Sequence, residues 1–240
     1  MRYKIELSYV GTNFHGWQKQ PNAISVQQTI EEAILILFKQ TIELTGCGRT
    51  DTGVHAKFFV AHFDADIEFD NNHIFRLNCY LPKSISIISI EKTENNFHAR
   101  FNAKSRSYQY IITTKKSPFL VGFSWYIPFN LDVGIMNEAS SLLLNYTDFS
   151  SFSKLHTDVK NNNCKIIEAE FQENHNLLIF RITANRFLRN MVRAIIGTIV
   201  EIGRKKINIE DLKNIIESKN RCLAGQSAPA DGLYLTNVQY

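Results

Sequence analysis

The short connections between predicted strands are the feature that most constrains how this chain folds. Apolar and polar residues alternate in stretches such as RYKIELSYV at residues 2–10, a pattern typical of a strand buried on one face. Helical patterns lie between some strands, but most connections are too short for the crossover helices that parallel strands require. The sequence therefore predicts an α+β architecture, in which helices pack on a mixed or antiparallel sheet.

The remaining elements follow from the same periodicities. Further strands are predicted in KFFVAHFDA, SISIISIEK, SYQYIIT, KIIEAEF and LLIFRITA. Helices are predicted over residues 26–38, 73–81, 133–145, 186–203 and 208–218. Ser25 and Gln28 have the spacing of a capping box before the first of these helices. A polar, basic connector places a boundary near residue 105, which predicts halves of similar element order at 1–105 and 106–240.

Composition excludes several classes of protein. The chain has 240 residues and a formal net charge of +4, which permits an anionic partner without requiring one. Its four cysteines are far apart, with no CxxC pair, so neither disulfides nor a structural zinc site is expected. The sequence has no signal peptide pattern and no long apolar run, and we expect a cytoplasmic protein.

The stretch TGCGRTDTGVHA, residues 45–56, concentrates the unusual residues of the first half. Its three glycines leave space around Arg49 and Asp51, so a bulky ligand could approach the backbone there. A carboxylate on such a loop can act as nucleophile or base. A simple structural turn is the alternative, because Asp and Thr beside Gly form tight turns by local hydrogen bonds.

Other catalytic interpretations have less support. No GxxxxGK[ST], HExxH or GxSxG string is present, so the common nucleotide, metallohydrolase and serine hydrolase sites are not indicated. A nucleophilic pair of Cys47 and His55 is conceivable, although the local signature of a cysteine nucleophile is missing.

Several long strings resemble the tRNA pseudouridine synthase A family. GRTDTGVHA is similar to the family signature GRTDAGVHA, with Thr52 in place of the alanine. The other matching strings, in chain order, are YVGTNFHGWQKQ, VQQTIEEA, FHARFNAKSRSYQYII, NRFLRNMVRAIIGTIVEIG and APADGLYL. The resemblance covers nearly the whole chain, with residues 119–180 the least diagnostic part.

The resemblance implies the pseudouridine synthase fold, with two similar halves around a basic cleft. It also implies conversion of uridine to pseudouridine at positions 38, 39 and 40 of the tRNA anticodon arm, by base flipping and without a metal or cofactor. The partner is then tRNA, and the protein is expected to be a homodimer. Carried over by motif, Asp51 is the catalytic aspartate, Tyr108 packs against the target base, and Arg193 pairs with Asp51.

Each of these residues also has a structural interpretation. Tyr108 could be a core tyrosine on a strand. On the predicted helix over 186–203, Arg186, Arg189 and Arg193 share a face that could be a solvated charge stripe. Arg193, however, is followed on its side by Ile196 and Gly197, and a guanidinium in apolar surroundings requires a carboxylate partner.

Basic residues elsewhere suit contacts with RNA phosphates. Arg49, Arg100, Arg106, Arg186 and Arg189 are the predicted substrate contacts. The neighbouring clusters comprise His98 and Lys104, Lys115 and Lys116, and Arg204, Lys205 and Lys206. His15 and Trp17 in NFHGWQKQ are candidate contacts at the rim of the site, or parts of a structural turn with a buried indole.

Two other functions share these features. One is a catalytically silent RNA-binding protein on the same fold, which the intact set of Asp51, Tyr108 and Arg193 argues against. The other is a nucleoside or glycoside hydrolase that uses Asp51, which should carry a second catalytic carboxylate nearby.

Overall fold

The structure, a computed structural model, describes residues 1–154 and 161–240. Within these ranges the chain forms nine strands and five α-helices, with short 3-10 turns between some of them. The strands are β1 (Arg2–Tyr9), β2 (Thr45–Gly46), β3 (His55–Asp64), β4 (Ile85–Lys92), β5 (Ser105–Thr113), β6 (Trp125–Tyr126), β7 (Ile166–Asn174), β8 (Leu177–Ala184) and β9 (Leu233–Gln239). The helices are α1 (Val26–Phe38), α2 (Asn71–Tyr80), α3 (Val133–Leu142), α4 (Met191–Gly203) and α5 (Ile209–Ser218).

The chain divides into two compact units, one formed by residues 1–104 and 234–240 and the other by residues 105–233. In the first unit the strand order is β4-β1-β3-β9, and β2 pairs with β3. Strand β1 is antiparallel to both β3 and β4, whereas β9 runs parallel to β3. In the second unit β8 is antiparallel to β5 and β7, and β6 is parallel to β5. The predicted α+β class and mixed sheet are confirmed.

Helix α1 lies on the face of β1 that carries the alternating apolar side chains. Tyr3 packs edge-on against Phe69 at 5.3 Å between ring centroids, and Phe38 of α1 contacts the same ring at 5.8 Å. The Ser25 hydroxyl caps α1 by accepting a hydrogen bond from the Gln28 amide. The reciprocal half of the predicted capping box is replaced, because the Gln28 side chain donates to Glu32 instead.

The core of the second unit surrounds α4, which is buried along most of its length. Asn137 of α3 ties that helix to β7, donating to the Phe171 carbonyl and accepting from the Phe171 amide. The segment after α5 crosses α4 so closely that a Cβ on Gly197 would lie 1.8 Å from the Gln226 carbonyl oxygen. Only glycine allows this backbone approach.

None of the helices in the described part of the chain has the length and apolarity that crossing a membrane requires.

Candidate active site

The loop that carries Asp51 is held by the last residue of β1 and by the segment that follows this strand. The Thr50 hydroxyl is hydrogen-bonded to the Tyr9 hydroxyl at 2.9 Å in a buried position, and the Thr50 carbonyl accepts from the Trp17 amide. The Asp51 carbonyl accepts from the Val54 amide and closes the turn into β3. Asp51 itself is half-buried. The carboxylate therefore sits on a loop whose two ends are fixed to the core.

The glycines of this region have different tasks. Gly16 has φ +85°, and a Cβ there would lie 2.3 Å from the Thr50 carbonyl oxygen. The glycine therefore permits the segment after β1 to approach the Asp51 loop closely. Gly46 is packed under the Trp17 indole, where a Cβ would lie 2.6 Å from Nε1. Gly48 is different, since a Cβ there would meet no described atom within 4 Å. Open space for a ligand thus lies beside Gly48.

Trp17 is a structural residue of the loop support. Its indole is 3% exposed and stacks on Phe59 at 4.0 Å between ring centroids. The interpretation as a buried indole is therefore the one that the structure supports. His15 is exposed, and its carbonyl accepts from the Gln20 side chain.

Cys47 and His55 are both buried. The His55 Nδ1 atom accepts a hydrogen bond from the Gly11 amide at 3.1 Å, and the ring stacks on Tyr234 at 4.6 Å. Because that nitrogen is engaged with the backbone, it is not available as the base of a cysteine nucleophile. Within the described ranges, no cluster of three or more histidine, cysteine, aspartate or glutamate side chains could hold a metal ion.

Tyr108 and Tyr110 lie two residues apart on β5 and differ in burial. Tyr110 is fully buried, and its hydroxyl donates to the Pro229 carbonyl at 2.9 Å. Burial raises the pKa of Tyr110 far above its ordinary value. Tyr108 is half-buried and meets the edge of Phe187 at 5.2 Å between ring centroids. Tyr108 is thus the tyrosine of this strand whose ring retains an accessible part.

Arg193 lies near the start of α4 and is bound by the segment that crosses this helix. Its Nε donates to the Ala228 carbonyl at 2.7 Å, and its own carbonyl accepts from the Ala228 amide at 2.9 Å. The side chain is half-buried. These two bonds fix the root of the guanidinium, so the direction in which its outer nitrogens point is determined by the fold.

The prediction that Arg186 and Arg189 share a helical face with Arg193 is wrong, because α4 begins only at Met191. Asn190 adopts the left-handed conformation, with φ 67°, which ends the preceding irregular segment. Asn185 is tied to Lys165 through both its side chain and its amide. These contacts hold residues 185–190 in an irregular path, from which Arg189 projects exposed and Arg186 half-buried.

The other predicted contacts differ in how accessible their charges are. Arg49 and Arg100 are exposed, whereas Arg106 is half-buried and donates to the Asn185 carbonyl. Arg204, Lys205 and Lys206 form ion pairs with carboxylates: Arg204 and Lys206 with Glu201, and Lys205 with Asp132. This cluster is therefore less suited to phosphate contacts than its sequence implied.

One exposed aromatic side chain was missed by the sequence analysis. Phe101 is 74% exposed, and its ring lies beside the His98 ring at 4.2 Å and the Arg100 guanidinium at 5.6 Å. The adjacent Ala99 is buried, with its amide on His62 Nδ1 and its carbonyl on the Tyr240 hydroxyl. An aromatic residue directly after a cationic one in FHARF was the available signal.

The chain is similar to known proteins over most of its length. The family model described as tRNA pseudouridine synthase matches residues 7–102 and 139–240. The chain is 49% identical to the tRNA pseudouridine synthase A of Parabacteroides distasonis and 50% identical to that of Bacteroides fragilis, in each case over 100% of this chain and 96% of the relative. It is 41% identical to the protein of that name from Ehrlichia chaffeensis, over the full length of both. The chain therefore belongs to the tRNA pseudouridine synthase family.

Proposed function

We propose that this protein isomerises uridine to pseudouridine in the anticodon arm of tRNA, at positions 38, 39 and 40. The observation that carries the proposal is the 49–50% identity, over the whole chain, to proteins named tRNA pseudouridine synthase A. The chemistry breaks the bond from N1 of the base to C1′ of the ribose and forms one from C5 to C1′. The C5 proton is released and N1 gains a proton, so nothing is oxidised or reduced.

Asp51 is the carboxylate that begins this reaction. It either attacks the substrate covalently or removes the C2′ proton of the ribose to give a glycal. Both routes need a carboxylate that reaches an extruded nucleotide. The fixed ends of the Asp51 loop and the open space beside Gly48 support this role.

Tyr108 is the ring on which the extruded base packs, and its hydroxyl assists proton movement at C5. The half-buried ring supports this role, since a platform must be fixed on one side and accessible on the other. Arg193 pairs with Asp51 and aims its carboxylate. The bonds of Arg193 to Ala228 support a positioning role, because they immobilise the side chain before substrate arrives.

The remaining arginines bind the RNA backbone. Arg49, Arg100 and Arg189 are exposed, as phosphate contacts need to be, while Arg106 and Arg186 are half-buried. Such contacts position the RNA and carry no sequence information. We expect recognition to depend mainly on the shape and charge of the tRNA.

We further infer that the protein acts in the cytoplasm as a homodimer. Exposed apolar side chains in the second unit support association, including Phe119 at 90%, Val121 at 75% and Phe129 at 52% exposure. Light scattering coupled to size-exclusion chromatography tests this directly. A monomer at the concentrations of the enzyme assay would contradict it.

Release of tritium from tRNA labelled at C5 of uridine tests the proposed reaction. The wild-type protein should release tritium, and Asp51→Asn should lower the rate by at least about 10²-fold while it still binds tRNA. Asp66→Asn, an exposed aspartate of the same unit, is the matched control and should stay active. Free uracil among the products would instead indicate a hydrolase, and wild-type binding without turnover would indicate a silent RNA-binding protein.

A further inference from the structure

A cavity of about 340 Å³ opens in the first unit where the end of β1, the start of β3 and the turn before β4 meet. Two lysines line it, Lys57 from β3 and Lys83 from the turn, and both are exposed. Three hydroxyl groups join them, from Ser8, Ser84 and Ser86. Of the described residues that line the cavity, none is acidic. Ammonium and hydroxyl groups around one concave space are donors that suit an anion.

Local contacts orient Lys57 toward this space. Its Nζ lies 5.2 Å from the ring centroid of Tyr234, within the range of a cation–π interaction. The pairing of β1 with β3 shifts register between Leu7 and Tyr9, which places a bulge in β3 next to Lys57. Lys57 is therefore on a strand of altered twist, with its ammonium held beside an aromatic ring.

The same contacts disfavour a base as the ligand. Tyr234 is only 8% exposed, and its ring is already stacked with His55 at 4.6 Å. Little of the ring is left for a nucleobase to cover. The hydrogen-bond donors that remain accessible are the two ammonium groups and the serine hydroxyls. These groups suit the oxygen atoms of a tetrahedral phosphate.

We propose that this cavity binds a backbone phosphate of the tRNA substrate, through Lys57 and Lys83. The proposal rests on the proposed function, which supplies the RNA. Because β3 begins four residues after Asp51, a phosphate bound at Lys57 is held by the strand that directly follows the Asp51 loop. The contact would set the register of the RNA relative to Asp51.

The test is the salt dependence of tRNA affinity, measured for the wild type, Lys57→Gln, Lys83→Gln and the double variant. Each lost phosphate contact should reduce the slope of log affinity against log salt by about 0.7 to 0.9. The double variant, which leaves that one phosphate without either lysine, should lose this amount and each single variant no more than it, while Lys39→Gln, at the end of α1 outside the cavity, should keep the wild-type slope. Replacing both cavity lysines by arginine should preserve the slope, and equal thermal midpoints would exclude misfolding.

A double variant with the wild-type slope overturns the proposal. Titration with inorganic phosphate tests whether the ligand is free phosphate and not a phosphate of the RNA backbone. If millimolar phosphate raises the melting temperature of the wild type only, while the tRNA slopes are equal, then the cavity binds free phosphate and the RNA assignment is wrong. A wild-type protein that does not bind tRNA or form pseudouridine would instead refute the proposed function, which is a distinct result from equal slopes in an active enzyme.

Discussion

Tyr108 and Tyr110 show how two residues of one type on one strand acquire different tasks. Both side chains point to the same face of β5, because strand residues alternate. Tyr110 is sealed against Pro229 and Gly232, where a Cβ would lie 2.8 Å from its ring. Tyr108, two residues earlier, is only half-buried and meets Phe187 at its edge.

Tyr108→Phe removes one hydroxyl and keeps the ring, so it separates proton transfer from stacking. We expect normal tRNA affinity and a loss of turnover of roughly 10² to 10⁴-fold, the range of general acid–base catalysis. Tyr110→Phe is the matched control, which should keep turnover and lose about 1 to 3 kcal/mol of stability, since the Pro229 carbonyl loses its donor. Tritium release and urea denaturation measure the two effects. Full activity of Tyr108→Phe would leave the residue with a stacking role only.

Arg193→Lys tests whether the planar guanidinium is needed to aim Asp51. A lysine keeps the charge but lacks the fork that can bind Ala228 and a carboxylate together. We expect turnover to fall by about 10²-fold, the cost of a misplaced reacting group, with tRNA affinity nearly unchanged. Arg221→Lys is the control, because Arg221 braces the same segment through Ala224, Gly225 and Ser227.

Comparing Arg193→Lys with Arg221→Lys distinguishes two roles of Arg193: supporting the segment that crosses α4, and orienting the Asp51 carboxylate. Both should lower the thermal midpoint, but only Arg193→Lys should lower the rate per folded molecule. Equal rates for the two variants would mean that Arg193 has only a structural role.

At the scale of elements, α4 depends on the segment that crosses it. Gly225 donates its amide to the Thr198 hydroxyl, and Ala228 exchanges backbone and side-chain bonds with Arg193. The crossing is possible because Gly197 presents bare backbone to Gln226. The position of Arg193 is therefore set jointly by a helix and by a segment about thirty residues later.

Gly197→Ala should separate these two elements. Its Cβ would lie 1.8 Å from a backbone oxygen, so one element must move, at a cost of about 1 to 3 kcal/mol or more. Gly134→Ala is the matched control in the first turn of α3, where the nearest atom is 3.5 Å away. It should stabilise the protein by about 0.4 to 1 kcal/mol, because glycine loses more entropy on folding. Urea denaturation of both variants measures this, and equal stabilities would contradict the close crossing.

The stability of the whole molecule should fall in mild acid because of His62. Burial, together with His98 and Arg2, lowers the pKa of His62 to about 4, and the pKa of His98 is lowered mainly by burial as well. Asp64 acts in the opposite direction but is paired with Arg2. Neutral His62 accepts the Ala99 amide and so anchors the FHARF segment.

Between the ordinary histidine pKa, near 6.5, and about 4, the unfolded chain takes up a proton at His62 that the folded chain does not. The contribution of neutral His62 to the free energy of unfolding should therefore be complete above about pH 6.5. It should decrease as the pH falls from there toward 4. His62→Gln, which can still accept the Ala99 amide, should flatten this decrease. His15→Gln, at an exposed histidine, should leave the profile unchanged. Urea denaturation between these pH values is the measurement, and identical profiles for all three proteins would disprove the role of His62.

The sequence by itself determined the kinds of elements and the place of the Asp51 loop. Alternation in β1, the Ser25 cap of α1 and the Asn208 cap of α5 are local signals, since each depends on residues within a few positions of one another. The glycine-rich loop was visible for the same reason. Its motif is continuous in the chain and needs no tertiary contact to be recognised.

Only the tertiary structure decided which of the candidate side chains are accessible. The start of α4 at Met191, the burial of Trp17 and the ion pair of Lys205 with Asp132 all depend on partners distant in sequence. The cavity of Lys57 and Lys83 likewise combines residues from four strands and a turn. Periodicity reports which face of an element is apolar, but it does not report which remote group covers that face. That choice depends on packing and long-range hydrogen bonds, whose free energies exceed the local preferences.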